Sequence, residues 1–459
     1  MLLIAATIAA MTHAAQAQNA PKPTSTPTPA SAAAASVTVP APAELPPLLD
    51  AVQSDPVSLG WMTGSPPPAD KVIRFDDASF YSFPQLRWSF SNARQLVPTR
   101  NVSRGSGASQ PLARAERADL DAVSFTPLGG TAPMSWAQAL PATYTDGVVV
   151  LHQGRVVYER YFGALGVDGQ HIAQSITKSV FGTIAAALIA EGRLDAHAQV
   201  GTLVPELLDS AFGDATVRQL LDMRTGLKYS EDYADPGAEI WAHVRAGNVL
   251  PRLPGDQGPA SFYDFLRTVR KQGEHGGAFA YKTVNADALG WVIRRLTGQS
   301  IAQTLSERIW RRIGAEQDAY FTIDTLGNEF AGGGLNTGLR DLARFGELMR
   351  NEGRWGGEPV IPQAAVDDIC RGGDRAAFAQ AGEALLPGWS YRNMWWVSHN
   401  AHSAYMARGS HGQALYIDPM AEMVIARYGS HPVAANAAND PLTLPACHAL
   451  ALHLMGTPH

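Results

Sequence analysis

The chain has 459 residues, 46% of them apolar and 17% charged, enough to fill one large enzyme unit or two lobes and too apolar for bulk disorder. Its 36 basic and 42 acidic residues give a formal net charge of −6 with no basic stripe, which argues against nucleic acid as a partner. The two cysteines, Cys370 and Cys447, have no CxxC spacing and so offer neither a zinc framework nor a redox motif; sequence leaves open whether they pair.

The first feature in chain order is an address. Leu2 to Met11 is a short apolar run, and Ala15-Gln16-Ala17 fits the small-x-small rule for signal cleavage, although no Lys or Arg precedes the run. The run is far short of the ~20 apolar residues a membrane span requires. Residues 1–17 therefore read as a signal peptide, and the protein as exported, periplasmic or secreted. Residues 18–45, rich in Pro, Ala, Thr and Ser, cannot bury a core and read as a linker.

Ordered sequence is expected from about Leu48. Trp61 to Arg94, with its aromatics and the Pro66-Pro67-Pro68 turn, reads as an extended segment packed on something larger. Gly147 to Leu151 and Arg155 to Arg160, joined by His152-Gln153-Gly154, carry a hairpin signature. A helix is predicted from about Ala173 to Ala190, with Val180, Ile184, Ala187 and Leu188 at helical spacing and Glu191-Gly192 as the stop. Further helices are predicted at Val217 to Asp222, Phe262 to Arg270, Ala286 to Leu296, Thr337 to Asn351 and Leu444 to Met455. Strands return at Gln413 to Ile417 and Met423 to Arg427. Strands at both ends with helices between imply an α+β fold: one antiparallel sheet flanked by helices, with a mostly helical lobe inserted. The implied unit spans 46–459, with an α/β lobe from 46–200 and 330–459 and a helical lobe over 201–329.

Three stretches carry candidate chemistry. Ser175-Ile176-Thr177-Lys178 opens the long helix, and residues three apart share a helical face, so the lysine lies beside the serine hydroxyl. A hydroxyl needs such a neighbour to become a nucleophile, and a helix N-terminus offers N–H groups to a developing oxyanion. Serine at a helix start is also a common cap. The second stretch is Phe279 to Asn285, centred on Tyr281. Positive charge nearby can lower a phenol pKa, so that Tyr281 accepts the serine proton; alternatively Lys178 is neutral and is itself the base. The third is Ala407 to Gln413, where glycines let a strand edge approach a ligand and add a second oxyanion N–H.

In this order and spacing the three stretches resemble the motifs of the serine β-lactamase, DD-peptidase and esterase superfamily. Within it the likeness is to 6-aminohexanoate-dimer hydrolases and related carboxylesterases. It is carried by Gly60-Trp61-Met62, Pro84-Gln85-Leu86-Arg87-Trp88-Ser89, Leu220-Leu221-Asp222-Met223, Glu231-Asp232-Tyr233-Ala234-Asp235-Pro236 and His411-Gly412-Gln413. The resemblance implies a Ser175 acyl-enzyme assisted by Lys178 and Tyr281. It also implies oxyanion N–H groups from Ser175 and Ser410, and substrate contacts from Tyr233, with Tyr229 competing for that role, and from His411. No metal or organic cofactor is implied, and the expected partner is a small ester or amide substrate. The third motif has no lysine, and Thr283 stands where the second often has asparagine, which lowers the odds of the alternative, a β-lactamase or DD-peptidase. A non-catalytic sensor of the same fold would lack the nucleophile or base, and here all three positions are filled.

Other readings are weaker. No G-x-S-x-G elbow, H-E-x-x-H or P-loop occurs. His399, His402, His411 and His431 cluster in sequence, but no carboxylate or cysteine joins them at ligand spacing, so they read as loop residues. Trp395-Trp396 can line an acyl pocket, although such pairs are more often core.

Overall fold

The computed structural model describes residues 48–456; the expected signal peptide and linker, residues 1–17 and 18–45, lie outside the described residues. The hairpin forms as Thr145–His152 and Arg155–Tyr161, closed by Gln153 at φ 52° and Gly154 at φ 74°. Two consecutive left-handed residues are what a two-residue type I′ turn demands. The hairpin completes a seven-stranded antiparallel sheet whose other strands come from late in the chain. In spatial order these are Ser390–Arg392, Trp395–Val397, Tyr405–Gly409, Gln413–Asp418 and Met423–Gly429, the last paired with Thr145–His152. A second antiparallel sheet has the order Thr99–Val102, Ala319–Thr322, Leu335–Gly338, Gln170–Ile172.

Helices Ile176–Ala190 and Leu339–Arg350 pack on one face of the large sheet. The first lies against the strand edge so closely that a Cβ on Gly182 would meet the Asn393 carbonyl oxygen at 1.9 Å. Helices Trp136–Ala142 and Asp440–Gly456 pack against each other beyond the opposite face. Glu239–Ala246, Phe262–Thr268 and Val284–Thr297 are the longer helices of the intervening region. Among the described residues no helix is long and apolar enough to cross a membrane.

Two differences from the sequence reading have clear causes. The helix expected from Thr337 begins at Leu339, because Leu335–Gly338 is a strand whose Asn336 and Thr337 face Ile172 and His171 across the ladder. The strands Ser390–Arg392 and Trp395–Val397 have three residues each, too few for a period-two pattern to register. The segment from Trp61 to Arg94 does pack on the main body. Arg87, 2% exposed, donates to Ser54 Oγ at 2.9 Å and Ser430 Oγ at 3.1 Å and pairs with Asp146 at 3.3 Å. Cys370 and Cys447 are free thiols.

Candidate active site

The nucleophile helix starts from a strained residue. Gln174 has φ 48°, and this left-handed step turns the chain leaving Gln170–Ile172 into the helix that begins at Ile176. Ser175 occupies the cap position but makes no capping bond with its side chain. Its hydroxyl instead accepts a hydrogen bond from Lys178 Nζ at 2.8 Å. The capping reading is thereby displaced, and the Ser175 N–H is left at the helix start, ahead of the intrahelical ladder.

Lys178 is 1% exposed, and its other acceptor is the Gly332 carbonyl oxygen at 2.6 Å. Both acceptors are neutral. Burial pulls the ammonium down to about 8, against smaller opposing pulls from the Glu231 and Asp287 carboxylates. The Gly332 peptide is held from behind, its N–H donating to Asp287 Oδ1 at 3.2 Å. Asp287 Oδ2 lies 3.0 Å from His243 Nε2, and His243 Nδ1 lies 2.9 Å from the Tyr229 hydroxyl.

Tyr281 is half-buried, with its ring 5.0 Å from Lys178 Nζ and stacked on Trp396 at 5.7 Å between centroids. Its hydroxyl lies near Ser175. Burial, with the Glu231 charge adding to it, pushes this phenol above its ordinary value, and the Ser175 hydrogen bond opposes the rise only in part. Of the two alternatives left open by sequence, the phenol lowered by positive charge is not the one these surroundings favour: loss of water and the Glu231 carboxylate outweigh the Ser175 hydrogen bond and the pull of Arg408.

Glu231 was not singled out from sequence. It accepts from the Thr283 N–H at 2.7 Å, the Thr283 hydroxyl at 2.8 Å and the Tyr233 hydroxyl at 2.8 Å. This is what Thr283 does in the second motif. Tyr233 is half-buried beside it, whereas Tyr229 is 6% exposed and committed to His243. Of the two tyrosines weighed from sequence, Tyr233 is therefore the one that closes on Glu231.

On the sheet side, a Cβ on Gly409 would meet the Ala173 carbonyl oxygen at 2.7 Å and Gln174 Cβ at 3.0 Å. Only a glycine lets this strand end lie directly against the residues before the nucleophile, and it brings Ser410 there. The Tyr81 hydroxyl lies near the side chains of Gln174 and Ser410 at the same place. His411 is the one substrate-contact expectation that the placement reverses. It is 3% exposed, packed edge-on to Tyr81 and Phe90, with Nδ1 2.7 Å from the His431 carbonyl oxygen. Loss of hydration pulls it down to about 4, so it is a neutral prop inside the loop. The tryptophan pair divides as strand alternation requires: Trp395 bonds Thr183 Oγ1 at 3.0 Å in the core, and Trp396 backs Tyr281.

Tyr81, Glu231 and the His243–Asp287 pair were thus invisible as site residues in sequence. Their only signals are long-range contacts, apart from the two-residue spacing that puts Glu231 next to Tyr233.

Comparisons with known proteins show the family of the chain. The Beta-lactamase family model matches residues 135–444. A 6-aminohexanoate-dimer hydrolase of Paenarthrobacter ureafaciens is 36% identical over 357 residues, which are 77% of this chain and 88% of that protein. A solved Bacillus anthracis structure, provisionally named a 6-aminohexanoate-dimer hydrolase, superposes with TM-score 0.77 at 32% identity, covering 86% of this chain and all of that one. A penicillin-binding protein homologue from Caulobacter crescentus has TM-score 0.52 at 15% identity over 74% of this chain and 100% of its own, a likeness of fold alone.

Proposed function

Because the chain belongs to the β-lactamase family and is a serine hydrolase, we propose that it cleaves small linear amides and esters through a Ser175 acyl-enzyme, with Lys178 as base and Tyr281 as acid. The observation that carries this reading is the 2.8 Å contact between Ser175 Oγ and a lysine that burial brings down to about 8. A lysine near that value is substantially neutral at mildly alkaline pH and can take a proton.

Lys178 Nζ accepts the Ser175 proton as Oγ bonds to the substrate carbonyl carbon. The Ser175 and Ser410 N–H groups take the oxyanion. As the C–N or C–O bond breaks, the Tyr281 hydroxyl gives its proton to the leaving group, and the Lys178 ammonium returns one to the phenolate. Water then attacks the acyl-enzyme, its proton passing to Lys178 and from there to the departing Ser175 oxygen. The raised phenol suits this role, since an acid must hold its proton until the leaving group needs it.

A small apolar cavity of about 40 Å³, lined by Tyr81, Phe90, Ile172, Val249 and Phe330, lies behind Gln174 and is too small to hold a substrate chain. Tyr233 and Glu231 present polar groups for an amide or amine, in keeping with the substrate named for the Paenarthrobacter relative. The Ala407-Arg408-Gly409 strand supplies no lysine for a β-lactam carboxylate, which disfavours a β-lactamase role. The short apolar run with Ala15-Gln16-Ala17 supports export, with a mature chain from near Gln18; N-terminal sequencing from the native host tests it, and an intact Met1 on cytoplasmic, active protein contradicts it.

The deciding experiment is a panel of a linear aminohexanoate dimer, p-nitrophenyl butyrate and nitrocefin on wild type and Ser175→Ala. The expected result is turnover of the first two, little of nitrocefin, and none by a folded Ser175→Ala protein. Nitrocefin as the best substrate, or hydrolysis retained in Ser175→Ala, defeats the reading.

A further inference from the structure

The histidines that cluster in sequence separate in space. His399 bonds Ser390 Oγ at 2.7 Å, and His411 and His431 belong to the loop behind Ser410. His402 alone is joined by what the sequence reading missed, a carboxylate and a second imidazole from distant parts of the chain. Its Nδ1 lies 2.8 Å from Asp418 Oδ2, and its ring lies 4.9 Å from that of His448. The donor atoms of His402, Asp418 and His448 all fall within 4.8 Å of one another.

We propose that His402, Asp418 and His448 form a binding site for one transition-metal dication of the zinc type, which ties the C-terminal helix to the sheet. Two imidazoles and one carboxylate are a borderline donor set that suits Zn²⁺ far better than Mg²⁺ or Ca²⁺, which take oxygen ligands. Three protein donors leave room for water in the coordination shell.

The surroundings orient these groups. Asp418 Oδ1 accepts the Ala421 N–H at 3.0 Å, which turns Oδ2 toward His402. The Asn400 side chain accepts the N–H groups of His402 at 3.1 Å and Ala404 at 2.9 Å, fixing the loop that carries the imidazole. Such supporting bonds are what hold ligands in place before an ion arrives. Asp418 and His402 are buried, and His448 on helix Asp440–Gly456 is exposed, so the cluster is built from inside and open at one corner. It lies beyond the opposite end of strand Tyr405–Gly409 from Ser410, a strand about 17 Å long. The site is therefore separate from the hydrolytic centre, and an ion there acts on stability.

The test uses untagged full-length protein stripped with chelator, titrated with ZnCl₂ by calorimetry and melted with and without zinc. Wild type should bind one tight equivalent and gain several degrees in Tm, because the ion binds only where the three segments are assembled. MgCl₂ should do neither. His448→Ala, a substitution at an exposed position, should fold and hydrolyse p-nitrophenyl butyrate like metal-free wild type. It should lose at least tenfold in zinc affinity together with the Tm gain, and His402→Ala should lose the same equivalent. Absence of a tight equivalent in wild type, or a His448→Ala protein that binds zinc like wild type, overturns the assignment.

Discussion

Lys178 and Arg408 are both buried cations, 1% and 5% exposed, and each sits over one ring of the stacked Tyr281–Trp396 pair, at 5.0 and 4.8 Å. Their partners differ. Arg408 is gripped by both oxygens of Asp440 at 2.6 Å. Lys178 is given a hydroxyl and a peptide carbonyl, while the carboxylates of Glu231 and Asp287 act on it without a hydrogen bond to Nζ. A bonded carboxylate compensates the charge of a buried cation; a buried ammonium given only neutral acceptors is pushed toward losing its proton. The same chain thus builds a structural cation and a titratable one within one aromatic wall.

The largest effect is expected at Lys178. Lys178→Met should cut kcat/KM by about 10⁴-fold, roughly 5.5 kcal/mol of barrier. It should not destabilise the fold. The folded lysine titrates near 8 and the unfolded one near its ordinary 10.5, so the unfolded state binds more protons between those values. Stability therefore rises as pH climbs through that window, and below it burial of the ammonium is a full cost. Denaturant melts at pH 7 should show Lys178→Met equal to wild type or up to about 1–3 kcal/mol more stable. Arg408→Met should do the reverse and lose about 3–5 kcal/mol, because it strands the Asp440 carboxylate. Equal destabilisation by both substitutions would erase the distinction.

A smaller effect separates acid from base. Tyr281→Phe keeps the ring on Trp396 and removes the proton donor. It should slow amide hydrolysis about 10²-fold and p-nitrophenyl ester hydrolysis less, since a p-nitrophenolate leaves without protonation. Equal losses on both substrates would assign Tyr281 to the base instead. Smallest is Glu231→Gln. Glu231 raises both Lys178 and Tyr281, so removing its charge should move the acid limb of the rate profile to lower pH by less than one unit.

What sequence disclosed follows the range of the interactions. Ser175 and Lys178 are one helical turn apart, so their contact is local and the motif places both. The hairpin at Gln153-Gly154 and the order of strands and helices were legible for the same reason. Tyr281 could be placed by motif, yet its titration could not, because that depends on burial by distant segments and then on Glu231, fifty residues away in the chain and bonded to Thr283. The substrate contact that the resemblance implied for His411 is not where the fold puts its ring, which is buried against Tyr81 and Phe90, residues of the N-terminal segment that no local pattern places there. Asp418 and His448 escaped because ligand spacing along the chain says nothing of donors that meet across a sheet edge.

The central claim is that Lys178 is the base and loses its proton near pH 8. The direct measurement is the second-order rate at which a fluorophosphonate labels Ser175 as pH is raised from 5 to 10. This isolates the attack of Ser175 from protonation of any amine leaving group. With Lys178 as base, the rate should rise tenfold per pH unit and level off with an apparent pKa near 8, a limb that disappears in Lys178→Met. A rate still climbing at pH 10, or a limb near 8 that persists in Lys178→Met, would contradict it.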